Sequence, residues 1–212
     1  INKTVLDKLI RLNYFNKFGE IKYLQEIVKW ADIFSNAKEI SKTKIEGYGL
    51  ELSFVLEYGN ETAKKVTKLR NKELLEDIIM TIENTPLTLK ETLDNQKEIL
   101  GIITYSDEKY SEDVYYVSEL EVMKSIVKTD VYKIKTGEII ETKMWSSQYY
   151  KNIINQGDFL LVKSFDVKPQ KEPTGEVNPD TGKKIYKEVE GTKEFWMPKY
   201  RNITYKFIDE VK

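Results

Sequence analysis

The sequence predicts an α+β protein in two parts, a helical stretch over residues 1–100 and a strand-built stretch over residues 101–212. Three observations point there. Apolar residues recur at helical spacing through the first hundred positions. After Gly101 the texture turns to β-branched and aromatic residues, as in "DVYYVSELEVMKS". Four of the five prolines fall between Pro169 and Pro198, around the turn signal "NPDTGKK".

Taken in order, Val5, Leu6, Leu9 and Ile10 predict a helix from Asn2 to Ile10, and Ile21, Leu24, Ile27, Val28 and Ala31 resume the period. Between them "RLNYFNKFGE" reads as a connection in which Gly19 takes a positive φ and Tyr14, Phe15 and Phe18 fill the space between the helices. The segment "LELSFVLEYG" is short enough for a strand or a buried helical turn, and periodicity leaves both open. Further helices are expected around Glu61–Ile82 and Thr88–Leu100, the second entered through "NTPLT".

In the second part, strands are expected at Tyr115–Lys124, Lys128–Lys135 and Ile139–Trp145, then a helix over Ser147–Ile154, a strand over Asp158–Val167 and a closing strand near Asn202–Ile208. A β-hairpin about 169–199 would be inserted before the last strand, with "NPDTGKK" at its tip. Five strands with a helix between the third and fourth is the order of the OB-fold, a small Greek-key barrel.

Composition narrows the chemistry. There is no Cys and no His, which excludes disulfides, thiolate metal sites, cysteine nucleophiles and serine triads. Lys and Arg number 34 against 35 Asp and Glu, so the chain as a whole has no field that draws it to nucleic acid. No run nears the ~20 apolar residues of a membrane span and no signal-peptide pattern stands at the start, so a cytoplasmic protein without membrane contact is expected. Ile1, not Met, opens the sequence inside a predicted helix, which suggests a fragment of something longer.

If Ile140, Thr142 and Met144 point inward, Lys143 and Trp145 share the outer face; if Tyr132 and Ile134 point inward, Lys133 and Lys135 join them. That ribbon of cations with one aromatic ring is what single strands lie upon in OB-folds. Lys163 and Phe165 on the fourth strand, and Lys183 and Lys184 on the hairpin, are further candidates. The plainer readings are a Trp145 that caps the core and lysines that solvate an edge.

The order of parts resembles a known family. "INKTVLDKLIRLNYFNKFG" is similar to the "NKxxLExLIxAGAFDxxG" string of C-family bacterial replicative polymerases, the DNA polymerase III alpha subunits, through Asn2, Lys3, Leu6, Leu9, Ile10, Phe15 and Gly19, with Leu12–Tyr14 in place of "AGA". "LDNQKEILGIITYSDEKY" resembles the family's "EKExLGxYLSGHP" at Lys97, Glu98, Leu100, Gly101 and Tyr105, without the "SGHP". Thr136, Gly137, Trp145, Tyr149, Gly157 and Val162 fall in step with the family's OB-fold string.

The resemblance implies a divergent or phage-borne C-terminal region: a helical portion of helix-hairpin-helix character on the duplex side, then an OB-fold that meets single-stranded template. It implies single-stranded DNA or primer-template and other replisome proteins as partners. The catalytic palm of the parent polymerase, a nucleotidyltransferase, would lie elsewhere with its Mg²⁺, leaving no cofactor in this segment. The residues agree in offering no Asp-x-Asp pair and no phosphate-binding G-x-x-x-x-G-K-[ST] loop. Two rivals stand beside it. One is a protein-docking module using "EFWMPKY"; the other is a nuclease using acids such as Glu119, Glu121, Asp130 and Glu141 with Mg²⁺.

Overall fold

Asn2 starts the first helix, α1 (Lys3–Arg11), by accepting the Thr4 N–H on its side-chain oxygen at 2.8 Å, the bond that favours Asn at a helix start. The computed structural model describes residues 2–208 and divides into two units, 2–87 and 88–208. Ile1 and residues 209–212, assigned from sequence to the first and second parts, lie outside the described residues.

In the first unit α1 leads through a short 3₁₀ turn into α2 (Ile21–Phe34). Gly19 takes φ +145°, and a Cβ there would stand 2.5 Å from the Tyr23 ring, so the connection needs glycine. Of the three aromatics expected to fill the interhelical space, only Phe15 packs against Ile10, Ile21 and Leu24. Tyr14 and Phe18 are 72% and 74% exposed, because the turn is too tight to fold all three rings inward.

The expected helix around Glu61–Ile82 is corrected in its first half. After β1 (Glu39–Ser41), α3 (Lys42–Gly47) and α4 (Leu52–Leu56) come β2 (Asn60–Glu61) and β3 (Lys65–Thr67), and only then α5 (Asn71–Thr81). The three strands pair antiparallel in the order β1-β3-β2. The first part is therefore helical with a small sheet, and "LSFVL" is the helical turn α4, with Val55 buried beside Phe34, Ile45, Val66 and Leu74.

The division at Leu87/Thr88, not near residue 100, follows from where the next helix packs. Helix α6 (Leu89–Leu100) opens on a capping box: Thr88 Oγ accepts from Glu91 N–H at 3.2 Å and Glu91 Oε2 from Thr88 N–H at 2.8 Å. Its Leu89 and Leu93 bury against Tyr116, Tyr132 and Phe159 of the sheet.

That sheet has seven strands where five were expected. They are β4 (Val114–Val122), β5 (Ile126–Lys133), β6 (Glu138–Trp145), β7 (Phe159–Leu161), β8 (Asp166–Lys168), β11 (Glu194–Trp196) and β12 (Arg201–Asn202), in the order β12-β7-β4-β5-β6-β11-β8. All pairs are antiparallel except β11 with β6. The expected fourth strand is split into β7 and β8 by Val162–Phe165, and its halves stand toward opposite sides of the order, so the sheet curls back on itself through that run.

A short helix, α7 (Ser146–Tyr149), joins β6 to β7, and β9 (Lys171–Val177) pairs with β10 (Lys184–Glu188) as an exposed hairpin between β8 and β11. Of the closing strand expected near Asn202–Ile208 only the start is a strand, β12, which ends at Asn202; the chain then turns into α8 (Tyr205–Ile208), whose Phe207 stacks on Phe159. Both faces of the sheet bury side chains. The inner face buries Val117, Val127, Val131, Met144 and Leu160; the opposite face buries Tyr116, Tyr132, Ile134 and Phe159 beneath α6 and α8.

Candidate nucleic-acid interface

Register decides which side chains share a surface. Val127 faces Met144, Thr129 faces Thr142 and Val131 faces Ile140, all on the inner side. The alternate set, Lys128 with Lys143, Asp130 with Glu141 and Ile126 with Trp145, lies on the outer side. Strand β11 adds Trp196, in register with Lys143, and Glu194; β8 adds Asp166 and Lys168, partners of Trp196 and Glu194. Where α6 leaves it uncovered, the outer face thus spans four strands.

At one end of this face stands an aromatic pair. Trp145 is 52% exposed, and its ring centroid lies 4.7 Å from that of Trp196 at an interplanar angle of 41°. The Lys168 ammonium sits 4.8 Å over the Trp196 ring, a cation–π arrangement. Trp145 therefore does not cap the core; its backbone starts α7 while its ring faces outward.

Lys143 is half-buried beside the pair and bonds Glu194 at 2.5 Å; the other oxygen of Glu194 accepts from Trp196 Nε1 at 2.6 Å. Burial opposes the charge on Glu194, but the hydrogen bonds from Lys143 and Trp196 and the positive charges of Lys143 and Lys168 outweigh it and hold the carboxyl below its ordinary value.

The expected ribbon of four does not assemble. Lys133 is in register with Tyr115 of the inner cluster and Lys143 is on the outer side. The inward assignment of Tyr132 and Ile134 fails because α6 buries that side as well. Lys133 and Lys135 converge instead on Glu112, the latter at 2.9 Å. Their hydrogen bonds, working against burial, bring Glu112 down to about 2.

Lys163 pairs with Asp113. Phe165 is an inner residue, edge-on to Tyr115 at 5.4 Å. Lys183 and Lys184 are exposed on the hairpin, apart from the Trp pair in the chain's pairing order. Trp196, Glu194, Lys168 and Lys128 were missed as site residues. Trp196 and Glu194 stand inside "EFWMPKY", and Lys168 and Lys128 carry no signal.

Beyond Lys143 the face turns acidic. Glu119, Asp130 and Glu141 stand opposite one another across β4, β5 and β6. Burial first, then Glu141 and Glu119, raise Asp130 above the usual carboxylate value, against the pull of Lys97. Lys97 itself pairs with Glu119. Among the described residues no group of three such side chains is arranged to hold a metal ion. Next to the row, Ile139, Lys193, Gln170 and Phe195 help line a groove of about 410 Å³.

Among the described residues no helix is long and apolar enough to cross a membrane. No protein-family model matches the chain, and neither the curated proteins nor the solved structures yield a match.

Proposed function

We propose that this chain is a non-catalytic DNA-binding region of a replicative polymerase of the C-family type, in which residues 88–208 form an OB-fold holding single-stranded template on the outer face of β5, β6 and β11. The observation that carries the reading is the Trp145–Trp196 pair, Trp145 exposed and Trp196 half-buried, with Lys168 over one ring and Lys143 beside it. Aromatic rings that take bases, next to cations that take phosphates, are the two components of strand binding without sequence preference.

The strand order supports the fold. With the run 159–168 counted as one strand, and β9, β10 and β12 set aside, five strands remain, β4, β5, β6, the run and β11, with α7 between the third and fourth. Residues 2–87 would steady the duplex side of a primer-template. Polymerase chemistry and its Mg²⁺ would belong to the palm of the parent protein.

Titration of fluorescein-labelled oligothymidine, read by anisotropy and by tryptophan quenching, tests this. Trp30 is buried, so quenching reports on Trp145 and Trp196. Binding should weaken with salt by a log–log slope of ~0.7 per phosphate engaged. An anisotropy that stays flat at low salt would remove single-strand binding. It would favour the second reading, a surface that docks another replication protein, which the ion-pairing of Lys133, Lys135, Lys143 and Lys163 recommends.

A further inference from the structure

One carboxylate holds two parts of the aromatic site at once. Glu194 is only 15% exposed in its side chain; one oxygen binds the Lys143 ammonium and the other the Trp196 indole N–H. Lys143 is the cation in register with Trp196, the one best placed to meet the phosphate of a nucleotide whose base lies on the ring. In the free protein that ammonium is already neutralised. We infer that Glu194 is a regulatory stand-in for phosphate: it occupies Lys143 until a strand arrives, and the strand's phosphate displaces it while the indole contact keeps Trp196 in orientation. The inference rests on the strand-binding reading above and names the contact that sets its affinity.

The chemistry is an exchange of one anion for another at the same ammonium, without bond making or proton loss. Because Glu194 is held as an ion, it competes fully near neutral pH. Lys168, whose ammonium lies over the ring, forms none of the described ion pairs and acts on Glu194 only through space, so it is the charge more open to attract the strand first.

The test is oligothymidine binding by the full chain over a salt series, comparing wild type with Glu194→Gln. The amide can still accept from Trp196 but no longer neutralises Lys143. Binding should tighten several-fold at ~50 mM salt, while the log–log slope stays close to that of the wild type, because Lys143 meets the strand's phosphate in both proteins. The gain should vanish in Glu194→Gln/Lys143→Met, measured against Lys143→Met alone, which a general loosening of the fold would not produce. Unchanged or weaker binding by Glu194→Gln overturns the inference while leaving wild-type strand binding intact; no wild-type binding overturns the functional reading itself.

A second measurement needs no Glu194 variant. In the wild type, the ¹⁵Nζ resonance of Lys143, assigned by its loss in Lys143→Arg, should shift when oligothymidine is added. A resonance that stays in place at saturation overturns the exchange.

Discussion

Asp130→Asn should make the protein more stable near neutral pH, although it deletes a charge from a strand centre. Asp130 stands directly opposite Glu119 on one side and Glu141 on the other. Each opposed like-charge pair costs ~0.2–1 kcal/mol, so the two together amount to ~0.4–2 kcal/mol. Lys97 offsets part of this through Glu119, and solvent and salt screen more, leaving ~0.5–1 kcal/mol. For a chain of this size that is a rise of ~1–4 °C in Tm.

The pH dependence gives the sharper signature. The folded-state value of Asp130 lies above the ordinary 3.8, so the folded protein takes up this proton more readily than the unfolded chain. The cost is complete above the raised value and fades as pH falls toward 3.8. Thermal unfolding followed by near-ultraviolet circular dichroism at ~50 mM salt should show the variant ahead near neutrality, with the gap closing on acidification and on adding salt. Equal midpoints at neutral pH, or a gap that survives acidification unchanged, would refute the reasoning. The same substitution removes a charge facing the path of a bound strand and should tighten oligothymidine binding.

Replacing Trp145 or Trp196 by Ala should weaken oligothymidine binding by ~1–3 kcal/mol per stacked base lost, with cooperative thermal unfolding retained; undiminished affinity removes the aromatic pair from the site. Glu112 is held at about 2 against an ordinary 4.5, so its stabilising pairs with Lys133 and Lys135 are complete above 4.5 and are lost as pH falls toward 2. Glu112→Gln should flatten the Tm-versus-pH curve across that window, and a curve parallel to wild type would contradict the pairing. Gly157 sits at φ +88°, and a Cβ there would lie 2.6 Å from Lys90 Nζ. Gly157→Ala should cost ~1–2 kcal/mol of backbone strain, read as a lower urea midpoint, while the flexible lysine gives way.

Elements with many turns of one period were legible. Val5, Leu6, Leu9 and Ile10 marked α1, and the "NTPLT" entry marked α6, whose Thr88-x-x-Glu91 box is also present in the sequence. β2 and β3, of two and three residues, are too short to show a period, so Glu61 to Thr67 merged with the helix that follows. β5 misled for another reason: Lys128 and Asp130 mark its outer side, but Val131 and Tyr132 are both buried, on opposite faces, so the alternation breaks where the sheet is covered on both sides. That moved Lys133 to the wrong surface. Trp196 reaches Trp145 only through the parallel pairing of β11 with β6, some fifty residues apart in the chain, and no local pattern announces such a contact.

The β9–β10 hairpin departs from β8 and re-enters at β11, which are neighbours with Lys168 opposite Glu194. Its two roots therefore stand one strand-spacing apart, ~4.8 Å. Whatever is tethered there closes a loop whose entropy grows only with the logarithm of its length. The position is a natural grafting port: the segment from Lys171 to Glu188 can be shortened to a tight turn or exchanged for a foreign module, and the strands around it keep their partners.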